Sequence, residues 1–165
     1  MCSRRKKPFA GPGQKIGRVI QNEPELIEGL KQRFPDANIV AKEFFEMTFK
    51  EQVTLMQQAD ILVGMHGAGL ANLVYMPQSS HVIELIPFTW KSKEYVLLSG
   101  MTGHPYASWQ NEKKENHIEP ECHELNRRQS ASEPNVCRAG ASATIVDIDA
   151  ILDLVQKSIN KISRD

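Results

Sequence analysis

ADILVGMHGAGLANLVYMP, residues 59–77, sets two apolar runs on either side of Met65-His66-Gly67-Ala68-Gly69. The first run, residues 60–65, is short and apolar, which reads as a strand buried on both faces. The second, residues 70–75, suits a short helix that Pro77 breaks. Between them the two glycines permit a tight strand-to-helix turn or a close backbone approach to a ligand. The spacing alone does not separate these two readings.

Working outward, residues 81–86 form the next strand, residues 94–101 a helix and residues 105–109 a further strand. Residues 111–141 read as a polar loop insertion, and residues 142–146 as a short extended piece. The chain closes on a helix over residues 147–162, with Ile148, Ile151, Leu152, Val155, Ile159 and Ile162 as its apolar stripe and Asp147 or Asp149 as its cap. Upstream, Asn22 precedes Glu23-Pro24-Glu25, the pattern of an N-cap with proline and acids in the first turn. Leu26, Ile27, Leu30 and Phe34 continue that helix, residues 38–45 read as a strand, and Thr48 caps a second helix. Strand and helix alternate throughout, and the strands are continuously apolar. The expected fold class is therefore α/β, a Rossmann-like parallel sheet with helices on both faces.

The 165 residues fall within the usual range of one domain. Lys plus Arg and Asp plus Glu both number 20, so the total charge argues against a nucleic-acid partner or an anionic membrane surface. The balance conceals a basic first segment, with Arg4, Arg5, Lys6, Lys7, Lys15 and Arg18 and no acid up to Asn22. That segment is either a solvated face or part of an anion site. Cys2, Cys122 and Cys137 lack metal or redox spacing, and Cys122 and Cys137 are able to pair only in an oxidising compartment. Neither a signal-type nor a bilayer-length apolar run is present in the sequence. Only Met1-Cys2-Ser3 precedes the basic run, so the chain is expected to begin inside a longer polypeptide.

Ligands of open parallel sheets bind at the carboxyl ends of strands, where residues 66–69 lie. An anion there meets the N–H groups opening the next helix. His66 is the titratable ring in this loop: a hydrogen-bond donor to phosphate, a local backbone cap, or a candidate general base. Glu84 interrupts the strand Val82-Ile83-Glu84-Leu85-Ile86 and reads either as an acceptor for ribose hydroxyls or as a hydrogen-bonded structural acid.

"SRR", "RVIQNEPEL", "ADILVGMHGAGLANLVYMPQSSHVIELIP" and "YASW", in this order, resemble the donor half of glycosyltransferase family 61, which holds N-acetylglucosamine transferases and plant xylosyltransferases. The resemblance implies one half of a GT-B fold, residues 1–165 being a donor-binding domain truncated at its N-terminus and lacking its N-terminal GT-B partner. It implies inverting transfer of N-acetylglucosamine or a pentose from a UDP-sugar to a glycan or protein hydroxyl, with no metal and no cofactor beyond the donor. By position it assigns His66, Gly67, Ala68, Gly69 and Leu70 to the donor diphosphate and Glu84 to the ribose or sugar. Arg4, Arg5 or Arg18 then stabilises the leaving diphosphate as charge develops. The base that takes the acceptor proton is expected on the absent half, which makes this chain inactive alone and leaves His66 only a candidate. The full protein would work in the endoplasmic reticulum or Golgi lumen. The competing readings are a non-catalytic nucleotide-binding or truncated fragment, and a hydrolase using His66-Gly67-Ala68-Gly69 as an oxyanion hole. The latter lacks the G-x-S-x-G elbow it needs.

Overall fold

The computed structural model describes residues 18–118 and 143–163. Arg4, Arg5, Cys122 and Cys137 lie outside the described residues. Three parallel strands form the centre: β2 (Ile61–Met65), β3 (His81–Ile86) and β4 (Tyr106–Gln110), adjacent in chain order. Their register aligns Leu62 with Val82 and Tyr106, and Gly64 with Glu84 and Ser108. Because side chains alternate along a strand, each face of this sheet carries its own core.

On one face Val63, Met65, Ile83 and Leu85 pack with Leu26 and Leu30 of α1 (Glu23–Arg33) and with Ile151, Leu152 and Val155 of α4 (Ile148–Ile162). On the other, Leu62 and Val82 pack with Met56 of α2 (Phe49–Met56), with Leu70, Leu73 and Met76, and with Tyr95 of α3 (Glu94–Thr102). The expected α/β sheet covered on both faces is present. A second small sheet joins β1 (Val19–Ile20) parallel to β6 (Ala143–Thr144), and β6 antiparallel to β5 (His117–Ile118). The antiparallel strand arises from the start of the segment read as a polar loop.

Three local expectations are corrected. Residues 38–45 do not form a strand: a single bridge at Lys42 is followed by a 3-10 turn, Phe44–Glu46. The chain turns early because Phe44 is buried in the second core, and its carbonyl accepts from Gln52 Nε2 at 2.8 Å. After the glycine loop the helix is 3-10, spanning Ala68–Tyr75 and starting before Leu70. Side chains three apart eclipse in a 3-10 helix, and the buried residues that follow the loop are Leu70, Leu73 and Met76, a spacing of three that seats all of them on one core.

The third correction concerns Asn22, which precedes α1 but makes no capping bond. Instead its Nδ2 donates to the Val146 carbonyl at 2.9 Å and its Oδ1 accepts from the Val146 N–H at 2.8 Å. The amide ties the start of α1 to the chain leaving β6. The other caps follow expectation. Thr48 and Glu51 form a reciprocal capping box on α2, and Asp147 Oδ1 accepts from Ala150 N–H at 3.0 Å to open α4. Among the described residues no helix is long and apolar enough to cross a membrane.

Candidate functional site

His66 follows Met65 at the carboxyl end of β2, so alternation carries its ring onto the face that holds Gly64, Glu84 and Tyr106. His66 is 3% exposed and Glu84 2%. The Glu84 carboxylate is engaged at both oxygens, one paired with His66 Nδ1 and the other accepting from the Tyr106 hydroxyl. Burial, followed by the hydrogen bond to Glu84, pushes the Tyr106 phenol well above its ordinary value. Glu84 therefore orients His66 rather than facing open space. Its structural-acid reading is the arrangement seen, and a ribose hydroxyl would have to replace one of these two partners.

The remaining imidazole nitrogen, Nε2, lies 3.6 Å from Glu94 Oε2 at the start of α3. The His66 ring packs against Trp90 and Tyr95, with ring centroids 5.1 and 5.2 Å away. Tyr95 Oη donates to the Gly67 carbonyl at 2.6 Å, which pins the first turn of α3 to the loop. Burial raises the Tyr95 phenol as well, with the nearby Glu94 and Glu84 charges adding to the effect.

Arg18 reaches the same loop from the beginning of the described chain. Its Nη1 donates to the His66 carbonyl at 2.7 Å, and its guanidinium stacks over Trp90 at 4.2 Å from the ring centroid. Gly67 adopts φ +156° and ψ 172°, a combination almost confined to glycine. A Cβ on Gly67 would stand 3.3 Å from Arg18 Nη1. Gly67 thus serves both backbone conformation and close approach of the cation. Gly69 has a different role: a Cβ there would meet Phe44 Cδ2 at 3.2 Å, so this glycine admits a core ring.

A cavity of ≈ 360 Å³ opens over the loop, lined by Arg18, Glu43, Gln52, His66, Gly67, Ala68, Gly69 and Asn72 among others. Ala68 is exposed at its edge, whereas Leu70 is 2% exposed and its side chain belongs to the core. A larger hollow of ≈ 430 Å³ lies at the opposite end of β2, lined mainly by apolar side chains such as Phe34, Ile39, Leu55, Ile61 and Val155. It is remote from the strand ends where a polar ligand finds backbone donors. Among the described residues, no three His, Cys, Asp or Glu side chains gather as a metal-ion site.

Of the residues singled out from the sequence, the structure brings together Arg18, His66, Gly67, Ala68, Gly69 and Glu84. Glu43, Trp90, Glu94, Tyr95 and Tyr106 were not anticipated. Trp90 and Glu94 follow β3 in the chain, so the rule that ligands gather at strand carboxyl ends was a usable signal for them. Tyr106 needed the β3–β4 register.

Residues 2–83 match the family Glycosyltransferase 61. The chain is 36% identical over 107 residues to Protein O-linked-mannose beta-1,4-N-acetylglucosaminyltransferase 2 of Tetraodon nigroviridis, a match covering 61% of this chain and 18% of that protein. The Homo sapiens protein of the same name is 34% identical over 107 residues, with the same coverage of 61% and 18%. EGF domain-specific O-linked N-acetylglucosamine transferase of Gallus gallus is 33% identical over 98 residues, covering 59% of this chain and 18% of that protein. The chain thus spans about a fifth of the length of these curated relatives. With the match over residues 2–83, the chain belongs to glycosyltransferase family 61.

Proposed function

We propose that this chain is the donor-binding part of an inverting glycosyltransferase of GT-B architecture, and that the loop from His66 to Leu70 holds the diphosphate of a UDP-sugar. The observation that carries this reading is the position of Arg18, whose guanidinium lies against Gly67 and bonds the His66 carbonyl. A fixed cation beside a glycine-built loop suits a group with two phosphates. The relatives are named as N-acetylglucosamine transferases, which favours UDP-N-acetylglucosamine as the donor and a glycan or protein hydroxyl as the acceptor.

In the reaction the acceptor oxygen attacks the anomeric carbon while the bond from that carbon to the diphosphate oxygen breaks. Arg18 stabilises the charge that collects on the departing UDP, so that no metal is required. His66 contacts the diphosphate through Nε2, its orientation set by Glu84 and Tyr106. The cavity-lining acid is Glu43, and the ribose-hydroxyl role expected of Glu84 passes to it. The proton of the acceptor is taken by a group in the N-terminal GT-B domain of the whole protein, which works in the lumen of the endoplasmic reticulum or Golgi. Alone, these 165 residues bind donor without transferring it.

Calorimetry with UDP on the chain and on a Gly67→Val variant tests the assignment. The variant places a branched side chain against Arg18 and is expected to bind at least about tenfold more weakly. Equal affinities would remove the loop from the site, and sugar transfer by the chain alone would overturn the division of labour.

A further inference from the structure

We propose that Glu94 occupies, in the ligand-free protein, the position beside His66 Nε2 that an oxygen of a diphosphate takes on binding, so that the ligand enters by displacing this carboxylate. The inference rests on the donor-site reading above and adds to it an internal competitor.

His66 has two ring nitrogens and almost no exposure. Nδ1 is committed to Glu84, which leaves Nε2 as the nitrogen that faces the start of α3. There Glu94 Oε2 stands at 3.6 Å, too long for a hydrogen bond but within the reach of an ion pair. The Glu94 side chain is 72% exposed, so it swings into water without disturbing packing. Its backbone does not drift away, because the neighbouring Tyr95 hydroxyl is bonded to the Gly67 carbonyl at 2.6 Å. The carboxylate is thus tethered beside the loop while most of its side chain faces water. An incoming phosphate oxygen and Glu94 then seek the same imidazole nitrogen with the same sign of charge. Arg18, bonded to the His66 carbonyl, offsets part of that repulsion, and the buried Glu84 charge is shared between His66 and Tyr106.

An acid at the start of a helix also has an ordinary reason, its attraction to the positive helix end. That effect changes stability alone and is blind to what the loop binds. Calorimetry separates the two on the 165-residue chain, Glu94→Gln and Glu94→Ala, titrated with UDP, inorganic pyrophosphate and uridine. Removing a like charge at this separation is expected to tighten UDP and pyrophosphate by about three- to tenfold. Uridine is expected to bind the three proteins equally, and the gain for the two anions to shrink as salt is raised.

UDP binding equally or more weakly to both variants would overturn the competitor role and leave the donor site standing. A uridine gain matching that of UDP would overturn it too, since the effect would not be electrostatic. Failure of the chain and both variants to bind UDP or pyrophosphate would remove the donor reading itself. Binding seen only with the variants would support the proposal in its strongest form.

Discussion

Arg18 Nη1 and the His66 carbonyl oxygen are joined at 2.7 Å across 48 positions of sequence. This bond joins the last cation of the basic first segment to the glycine loop. Replacing Arg18 with Ala removes both the bond and the cation stacked on Trp90. UDP affinity is expected to fall at least about tenfold, the scale of a charge-assisted contact to phosphate. Titration calorimetry measures the loss, and Trp90 fluorescence reports whether the ring has lost its cover.

Glu84 carries two donors in the core. Glu84→Ala leaves the His66 and Tyr106 polar groups buried without their acceptor, which is expected to cost about 3–5 kcal/mol in urea unfolding. Glu84→Gln keeps one acceptor oxygen and turns an N–H towards the other donor, so the expected loss is smaller, about 1–3 kcal/mol. A loss within error for both variants would mean that the pair does not hold His66.

Stability should fall in alkali for a definite reason. The Tyr106 phenol is held well above its ordinary value of 10.0, and the Tyr95 phenol is also raised. As pH passes about 10 the unfolded chain loses these protons while the folded chain keeps them, so fewer protons are bound in the unfolded state and stability declines with rising pH. Below that point the phenols contribute no slope. Tyr106→Phe is expected to reduce the alkaline decline, measured as unfolding midpoints from pH 8 to 11.

The Asn22 amide makes two bonds to Val146, one as donor and one as acceptor. Asn22→Asp supplies the acceptor and lacks the donor, and Asn22→Ala supplies neither. Destabilisation of about 1–3 kcal/mol is expected for Ala, with Asp intermediate. Equal effects of Ala and Asp would show that only the donor half of the clamp matters.

Much of this arrangement was legible in the sequence because it is local. Residues 81–86 read as a strand and form one with the same ends, since a short run bounded by turn residues and apolar apart from His81 and Glu84 leaves few alternatives. The final helix showed its 3.6-residue stripe equally plainly, and of the two caps offered, Asp147 and Asp149, the structure uses Asp147. The segment after the glycine loop misled because Leu70 and Leu73 are three apart, which both an α-helix and a 3-10 helix permit. Residues 38–45 misled because burial of Phe44 against Gly69, 25 positions away, overrode a strand-like run.

At the site, the loop and its arginine were legible as chemistry, but their geometry was not. Whether Glu84 faces a ligand or a histidine depends on the register of β2, β3 and β4, which no single strand records. Tyr106 lies in the quoted "YASW" stretch, yet its hydroxyl gains a partner only when β4 is laid beside β3. The same nonlocality brings Trp90 against both Arg18 and His66.

A UDP titration followed by backbone amide NMR tests the donor site most directly, because it reports where the nucleotide lands. The expected result is saturable shifts concentrated at Arg18, at Glu43 and from His66 to Leu70, with the residues around the ≈ 430 Å³ hollow, such as Phe34, Ile39 and Val155, unmoved. No saturable shift, or shifts gathered around that apolar hollow, would contradict it.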